Sequence, residues 1–397
     1  MQSLASESFL KLKLYCEREE FKGWDPYDGL NSKLFQTTPL RKWSMARLVW
    51  IQLFKRNPVN LRPLVNISKG YNPKGVGLFL TGYCNLYKIA KNGDTTFGKP
   101  EEIVDKINFL SDLLIDLKSE GYSGSCWGYN FDWQARGGLY FPAYTPNVVA
   151  TTFAAYGLLD AYSVIKKDKF KSEALSSAEF VVNDLNRTEK KDGFLFSYAP
   201  KFGNNTVYNA SLLGSKLLAR IYSITNEEIY FRSAKQSVIA CCEAQNDDGS
   251  WYYGELPIQN WIDSFHTGFN LEALYDFQKY TGDSTFEGNF KKGLKFYISN
   301  FFLKDGTPKY YHNRIYPIDI HSPAQCIITL ANSNCIDSHK KLAENVINWS
   351  SNHLQDEEGY FYYQVRKFYK NKIPYMRWSQ AWMFAALSYY LKEMAND

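Results

Sequence analysis

Acid/base chemistry in this chain would have to come from a small set of side chains. Histidine is scarce, five in 397 residues. Two of the five, His266 and His321, follow Asp263 and Asp319 at matching points of neighbouring segments. An imidazole so placed can serve as general base or acid near neutral pH. Asp132 and Asp263 are the natural pair of carboxylates for cutting a glycosidic bond, with Asp319 as substitute. Arg136 and Arg377 could grip a carboxylate or phosphate through two parallel hydrogen bonds. Aromatic and amide side chains that suit a sugar cleft accompany them: Trp127, Trp133, Gln134, Tyr144, Asn147, Tyr208, Asn209, Trp251, Tyr252, Trp261, Tyr311, Arg314, Trp378 and Gln380.

Each candidate also has a purely structural reading. Asp263, Asn209 and Asp319 stand where helix N-caps belong. The Trp and Tyr residues that follow each turn suit plugs over helix ends.

The composition narrows the classes of function. The net charge of +5 arises from 46 basic and 41 acidic residues and forms no long single-sign run, which argues against nucleic-acid binding. A mildly basic surface tolerates an anionic substrate. The seven cysteines are scattered, odd in number and free of CxxC pairs, as in a reducing compartment. The N-terminus lacks the continuous apolar run of a signal peptide, and no uninterrupted apolar stretch reaches about 18 residues. A cytoplasmic chain without a transmembrane segment is the expectation. No spacing fits a zinc site, a phosphate-cradling loop or a dinucleotide fingerprint, so neither metal nor cofactor is expected.

The elements that must position these residues come in pairs. Apolar positions at helical spacing predict helices over 41–56 and 75–92, 99–119 and 146–164, 170–186 and 207–223, 226–245 and 263–280, 283–302 and 321–333, and 336–353 and 376–393. Loops inside a pair run to about 16–26 residues, and links between pairs to about 2–6. Each long loop carries a related signature: Asn-Pro-Lys-Gly-Val-Gly at 72–77, Gly-Ser-Cys-Trp-Gly-Tyr at 124–129, Asp-Gly-Phe-Leu-Phe at 192–196, Asp-Gly-Ser-Trp-Tyr at 248–252, Asp-Gly-Thr-Pro-Lys-Tyr at 305–310 and Glu-Gly-Tyr-Phe-Tyr at 358–362. Asp and Gly stop the first helix of the pair, and the aromatic residue folds back over its end. Short hairpins are expected at 194–198 and 360–364.

Hairpins of this kind cannot bury their apolar faces alone, so they must pack side by side. Six of them, with short links on one side and long loops on the other, suggest a closed ring of outer and inner helices. The sequence thus resembles the (α/α)6 six-hairpin toroid class, all-α, which includes glycoside hydrolases, polysaccharide lyases, uronate epimerases and N-acyl-hexosamine epimerases. The expected organisation is one toroid domain over 1–397, with 1–40 as an N-terminal helical and turn extension packed on it.

A closer resemblance rests on three stretches: Gly-Trp-Asp-Pro-Tyr-Asp-Gly-Leu-Asn-Ser (23–32), Trp-Gly-Tyr-Asn-Phe-Asp-Trp-Gln-Ala-Arg (127–136) with Tyr-Thr-Pro-Asn-Val-Val-Ala-Thr (144–151), and Arg-Trp-Ser-Gln-Ala-Trp (377–382). They look like proteins encoded in bacterial capsule and exopolysaccharide clusters, which implies a pathway without disclosing a reaction. The expectation is a carbohydrate-active enzyme of surface-polysaccharide biosynthesis, working by epimerase- or lyase-like acid/base chemistry on a sugar or uronate, anionic or lipid-linked forms both being open. A glycosidase using Asp132 and Asp263 and a non-catalytic glycan-binding scaffold are the alternatives. The site belongs at the inner-helix N-termini, where the long loops gather and exposed N–H groups favour anions.

Overall fold

The computed structural model describes residues 3–135, 138–200 and 206–395. Its helices in chain order are α1 (Leu4–Arg18), α2 (Lys33–Thr37), α3 (Ser44–Arg56), α4 (Pro73–Lys91), α5 (Pro100–Asp116), α6 (Val148–Ile165), α7 (Asp168–Glu179), α8 (Tyr208–Thr225), α9 (Glu228–Glu243), α10 (Ser264–Thr281), α11 (Glu287–Phe301), α12 (His321–Asn332), α13 (Lys340–Leu354) and α14 (Ala381–Met394). Helices α4, α6, α8, α10, α12 and α14 pack each on the next, and α14 returns to α4. Helices α5, α7, α9, α11 and α13 lie outside, each against the inner helix before it. The fold is an (α/α)6 toroid.

Inner helices are apolar almost all round, as elements buried on both sides must be. Helix α6 alone among the described residues is long and apolar enough to cross a membrane, yet it lies in the inner ring with most of its length buried.

The ring closes differently from the expected pairing. Residues 44–56 do not form an outer helix. That place belongs to α1, which packs on α13 and α14 with Phe9 against Phe384 and Phe97. Residues 1–40 are therefore no mere extension, because α1 is the sixth outer helix. The first repeat hid this because its turn has no Asp-Gly: Glu20 and Phe21 adopt positive φ themselves, and Phe21 lies beside Phe109 of α5. The Asn-Pro-Lys-Gly-Val-Gly stretch is instead the start of α4, capped by Asn72.

The other turn signatures behave as their chemistry predicts. Each Gly lets a turn lie on the backbone of the next outer helix. A Cβ on Gly249 would sit 2.5 Å from the Lys292 carbonyl oxygen, and one on Gly359 only 2.3 Å from that of Lys11. The second contact runs from the last loop to the first helix, so the seam uses the same joint as the rest of the ring.

The plugs repeat too. Trp127 Nε1 donates to the Leu114 carbonyl and Trp251 Nε1 to that of Cys241, both indoles being almost wholly buried over the helix they terminate. Burial of this kind contributes about 1.5–3 kcal/mol per side chain. Trp127 and Trp251 are thus part of the frame, and Trp251 also borders the cleft at His266 described below.

Strands are short and lie in the long loops: β1 (Trp133–Gln134) with β2 (Tyr140–Phe141), β3 (Arg187–Lys190) with β4 (Gly193–Phe196), and β5 (Ile318–Asp319), β6 (Gln364–Val365) and β7 (Lys370–Asn371) in one antiparallel sheet. Hairpin β3–β4 corresponds to the strand expected at 194–198. The one expected at 360–364 begins only at Gln364.

Candidate functional site

At the mouth of the ring, five of the six inner helices are stitched to the next loop around the ring. Val148, Tyr208, Ser264, Ile320 and Met376 donate their backbone N–H groups to the carbonyls of Tyr198, Tyr253, Tyr310, Tyr363 and Trp24. Of the four tyrosines that accept these bonds, Tyr198 and Tyr363 are buried and Tyr253 and Tyr310 partly buried, and Tyr129 bonds Tyr198 through its hydroxyl. Tyr27, on the N-terminal turn, lies within electrostatic reach of Tyr129, Tyr253, Tyr310 and Tyr363. Burial pushes the Tyr198, Tyr253, Tyr310 and Tyr363 hydroxyls up, so they stay neutral hydrogen-bonding groups. Sequence reasoning missed this ring. The signal was present, because a Tyr follows the turn Gly by four or five residues in five of the loops.

Inside the ring, α10 begins with Asp263 as N-cap, its Oδ1 accepting from the His266 backbone N–H at 3.0 Å. Its Oδ2 accepts from Trp261 Nε1 at 3.0 Å and lies 2.7 Å from His266 Nδ1. A carboxylate only accepts, so Nδ1 carries the proton and Nε2 is left with its lone pair. The His266 side chain is 21% exposed while that of Asp263 is buried. A buried carboxylate that orients a half-open imidazole is the arrangement of a general base.

The imidazole borders a narrow cleft shared with Asn209, Trp251, Tyr252, Tyr253, Thr267 and Asn270. Asn209 Oδ1 and Asn270 Oδ1 are buried there without hydrogen-bond partners among the described residues.

His321, at the start of α12, is 1% exposed, and both its ring nitrogens lack partners among the described residues. Phe265 stacks on it at 4.5 Å, and Trp378 and Trp382 pack at 5.0 and 4.1 Å. Burial, reinforced by the nearby Lys74 and Arg377, pushes its pKa well below the usual histidine value, so it is neutral. Phe265 and Phe269 touch both histidines, which places the two imidazoles on a shared aromatic wall.

Asp319 is fully buried and is spent on structure. It accepts from Trp378 Nε1, from Gln364 Nε2 and from the His321 backbone. Trp378 is thereby fixed as a wall of the His321 cage.

Lys74, in the first turn of α4, is a second group that sequence reasoning missed. Its ammonium nitrogen lies 4.6, 5.0 and 4.9 Å from the ring centres of Phe153, Phe269 and Trp382. Burial first, and then Arg377, push its pKa well below the usual lysine value.

Several expected contacts have other duties. Arg377, inside a π-helical turn, is buried and gives Nε and Nη2 to both oxygens of Asp25 at 2.6 and 2.8 Å. A guanidinium so paired is not a free anion clamp. Asp132 spends its carboxylate on Tyr140 Oη and the Ala143 N–H, holding its own loop. The Asp132 and Asp263 carboxylates therefore have separate structural partners. Gln134 latches α3 through Arg47, and Gln380 binds both the N–H and the carbonyl of Phe361. Asn147 is the N-cap of α6. Tyr208 opens α8 on the side of Cys241 and Glu255, its hydroxyl pushed up to about 12 mainly by burial. Tyr144 is exposed at φ 61°, with its carbonyl held by Ser119. None of these seven faces the His266 cleft.

Trp133 stacks on Phe141 and approaches Tyr198, Trp261 stacks on Tyr253, and Tyr311 lies under Arg314, so these remain on the rim. Tyr252 is half exposed beside the cleft. Arg136 lies outside the described residues.

Neither a protein-family model nor a curated protein sequence matches this chain. Solved structures do. The GH76 α-mannanase of Bacteroides thetaiotaomicron aligns at TM-score 0.60 with 15% identity, over 94% of this chain and 100% of that one. The cellobiose 2-epimerase of Bacillus thermoamylovorans aligns at 0.60 with 16% identity, over 82% and 88%. An unsaturated glucuronyl hydrolase specific for heparin aligns at 0.62 with 13% identity, over 98% and 96%. They share the toroid. At such identity the likeness extends to the fold alone, and the chemistry has to be argued from the residues at the mouth.

Proposed function

We propose that this chain is a carbohydrate-active enzyme that moves a proton at a sugar carbon, epimerase-like, at the mouth of the ring where α10 begins. The observation that carries this is the pairing of an oriented imidazole, His266 on Asp263, with a neutral, unpartnered imidazole, His321, along one aromatic wall. His266 Nε2 takes the proton from the carbon and becomes the imidazolium that Asp263 balances, while His321 gives an N–H hydrogen bond to the oxyanion as a neutral imidazole. Water returns a proton to the carbon on the other face, and His266 gives its own back to the hydroxide. Toroids as different as a mannanase and an epimerase support a sugar as substrate without choosing the reaction.

The electrostatics select among sugars. Arg377 is already neutralised by Asp25, so it does not offer the clamp a uronate needs. This favours a sugar whose carbon is acidified by its own carbonyl, with neutral tyrosines and Lys74 as hydrogen-bond donors to the developing oxyanion.

The proposed setting is bacterial surface-polysaccharide biosynthesis in the cytoplasm. Its support is the resemblance of the three sequence stretches, which meet in space: Asp25 grips Arg377, Arg377 stacks on Tyr129 at 4.9 Å, and Asn31 donates to the Asn130 carbonyl.

The test is product analysis by NMR after incubation with a panel of reducing sugars, uronates and oligosaccharides. A new epimer supports the proposal. An unsaturated uronate would move the reading to a lyase. Newly released reducing ends would make the chain a glycosidase.

A further inference from the structure

Helix α3 has no place in the toroid. Trp50, Ile51 and Phe54 hold its underside, with Trp50 Nε1 on the Gly29 carbonyl and its indole stacked on Phe35. Arg47 and Lys55 tie it to Gln134 and Tyr27 of the rim. The opposite face points outward and is apolar: Met45, Val49 and Leu53 stand four residues apart at 69, 61 and 46% exposure, with Trp43 at 66% just before the helix. The β6–β7 hairpin comes alongside, Tyr369 Oη bonding the Arg56 carbonyl and Asn371 Nδ2 that of Asn57. Its tip presents Phe368 at 88% exposure.

The charges carried by the two segments that form this patch are all of one sign. Exposed Arg41, Lys42 and Arg56 flank the helix, and exposed Lys367 and Lys370 flank Phe368. No Asp or Glu occurs between Asp28 and Asp94, or between Glu358 and Glu393.

We propose that α3 and the β6–β7 tip form a membrane-docking surface that seats this end of the toroid on an anionic lipid bilayer. An amphipathic helix with Trp at one end, aliphatic side chains on one stripe and a basic border matches the interface between headgroups and acyl chains. Anionic headgroups complement the uncompensated cations. A second copy does not, because a two-fold contact would set Arg41, Lys42 and Arg56 against their own like with no acid to offset them. The inference stands whatever reaction the mouth performs.

The experiment is co-sedimentation of the full chain with extruded vesicles of phosphatidylcholine, with and without phosphatidylglycerol. The wild-type chain should bind the anionic vesicles and release as salt is raised. Val49→Glu with Leu53→Glu should weaken binding by more than about tenfold. Arg41→Glu with Lys42→Glu should remove the preference for anionic vesicles, and Phe368→Ser should weaken binding several-fold. All these positions are exposed, so thermal melts should match wild type. Three results would overturn the proposal: no binding of the wild type to either vesicle, undiminished binding of the Val49→Glu, Leu53→Glu variant, or a dimer in sedimentation velocity that this variant dissolves while vesicles are ignored.

Discussion

Helices α10 and α12 are neighbours in the inner ring, and each opens with an aspartate followed closely by a histidine. Their environments then diverge. Asp263 gives one oxygen to its helix cap and the other to His266, which keeps an open edge toward a cleft. Asp319 gives its oxygens to Trp378, Gln364 and a backbone N–H, leaving His321 without a polar partner inside a cage of rings. One local motif thus yields a group poised to take a proton and another held neutral. What differs is the aromatic content of the next inner helix, where Trp378 and Trp382 roof His321. An oriented imidazole beside a neutral one gives proton-transfer chemistry two distinct groups to use.

Breaking the α10 side should have the largest effect. His266→Asn should lower kcat by about 10²–10⁴-fold, with a thermal midpoint close to wild type because the ring is partly exposed. Steady-state kinetics and a melt read both.

Breaking the α12 side should separate activity from stability. His321→Phe keeps the stack on Phe265 and deletes two unpartnered buried nitrogens. It should cost about 10²-fold or more in kcat while raising unfolding free energy by about 1–3 kcal/mol in denaturant titrations.

Asp263→Asn sharpens the comparison, because the amide still caps α10 but can no longer dictate the His266 tautomer as a carboxylate does. A fall of about 10–100-fold in kcat with little change in stability is expected.

The pH dependence follows from the sign of the His321 shift. Its folded pKa lies well below the ordinary 6.5, so as pH falls below that value the unfolded chain takes up a proton that the folded chain refuses. Stability is lost in that window and unaffected by this group above it. The stability difference between His321→Phe and wild type should grow toward acid by at most about 1.4 kcal/mol per pH unit. Chemical denaturation at several pH values measures it. Tyr144→Ala, an exposed side chain outside the lining of the His266 cleft, should change activity by about twofold or less.

The ring was legible because its signals are local. A Gly that must lie on a neighbouring carbonyl, an aromatic plug two or three residues on and a long loop before each inner helix recur in sequence as they do in space. The cap at Asp263 was legible for the same reason, whereas Asn209, expected as a cap, lies inside α8 after Val207, and the cap of α6 is Asn147, which was expected as a sugar contact. The sixth outer helix was not legible, since Glu20 and Phe21 do the work of Asp-Gly without its letters. Nor was the Asp25–Arg377 pair, whose partners lie 352 positions apart and meet only through ring closure. Lys74 and the central tyrosines were hidden in plain composition, because a buried lysine or tyrosine looks like any other until the fold surrounds it.

The central claim is that His266 and His321 together exchange a proton at a sugar carbon, and solvent isotope uptake tests it most directly. The chain would be incubated in D2O with reducing sugars and followed by proton NMR. The account predicts that one carbon-bound hydrogen of a single sugar exchanges for deuterium with wild type, and that His266→Asn and His321→Phe abolish the exchange. Exchange that survives His266→Asn, or turnover of a sugar with no deuterium incorporated at carbon, would contradict it.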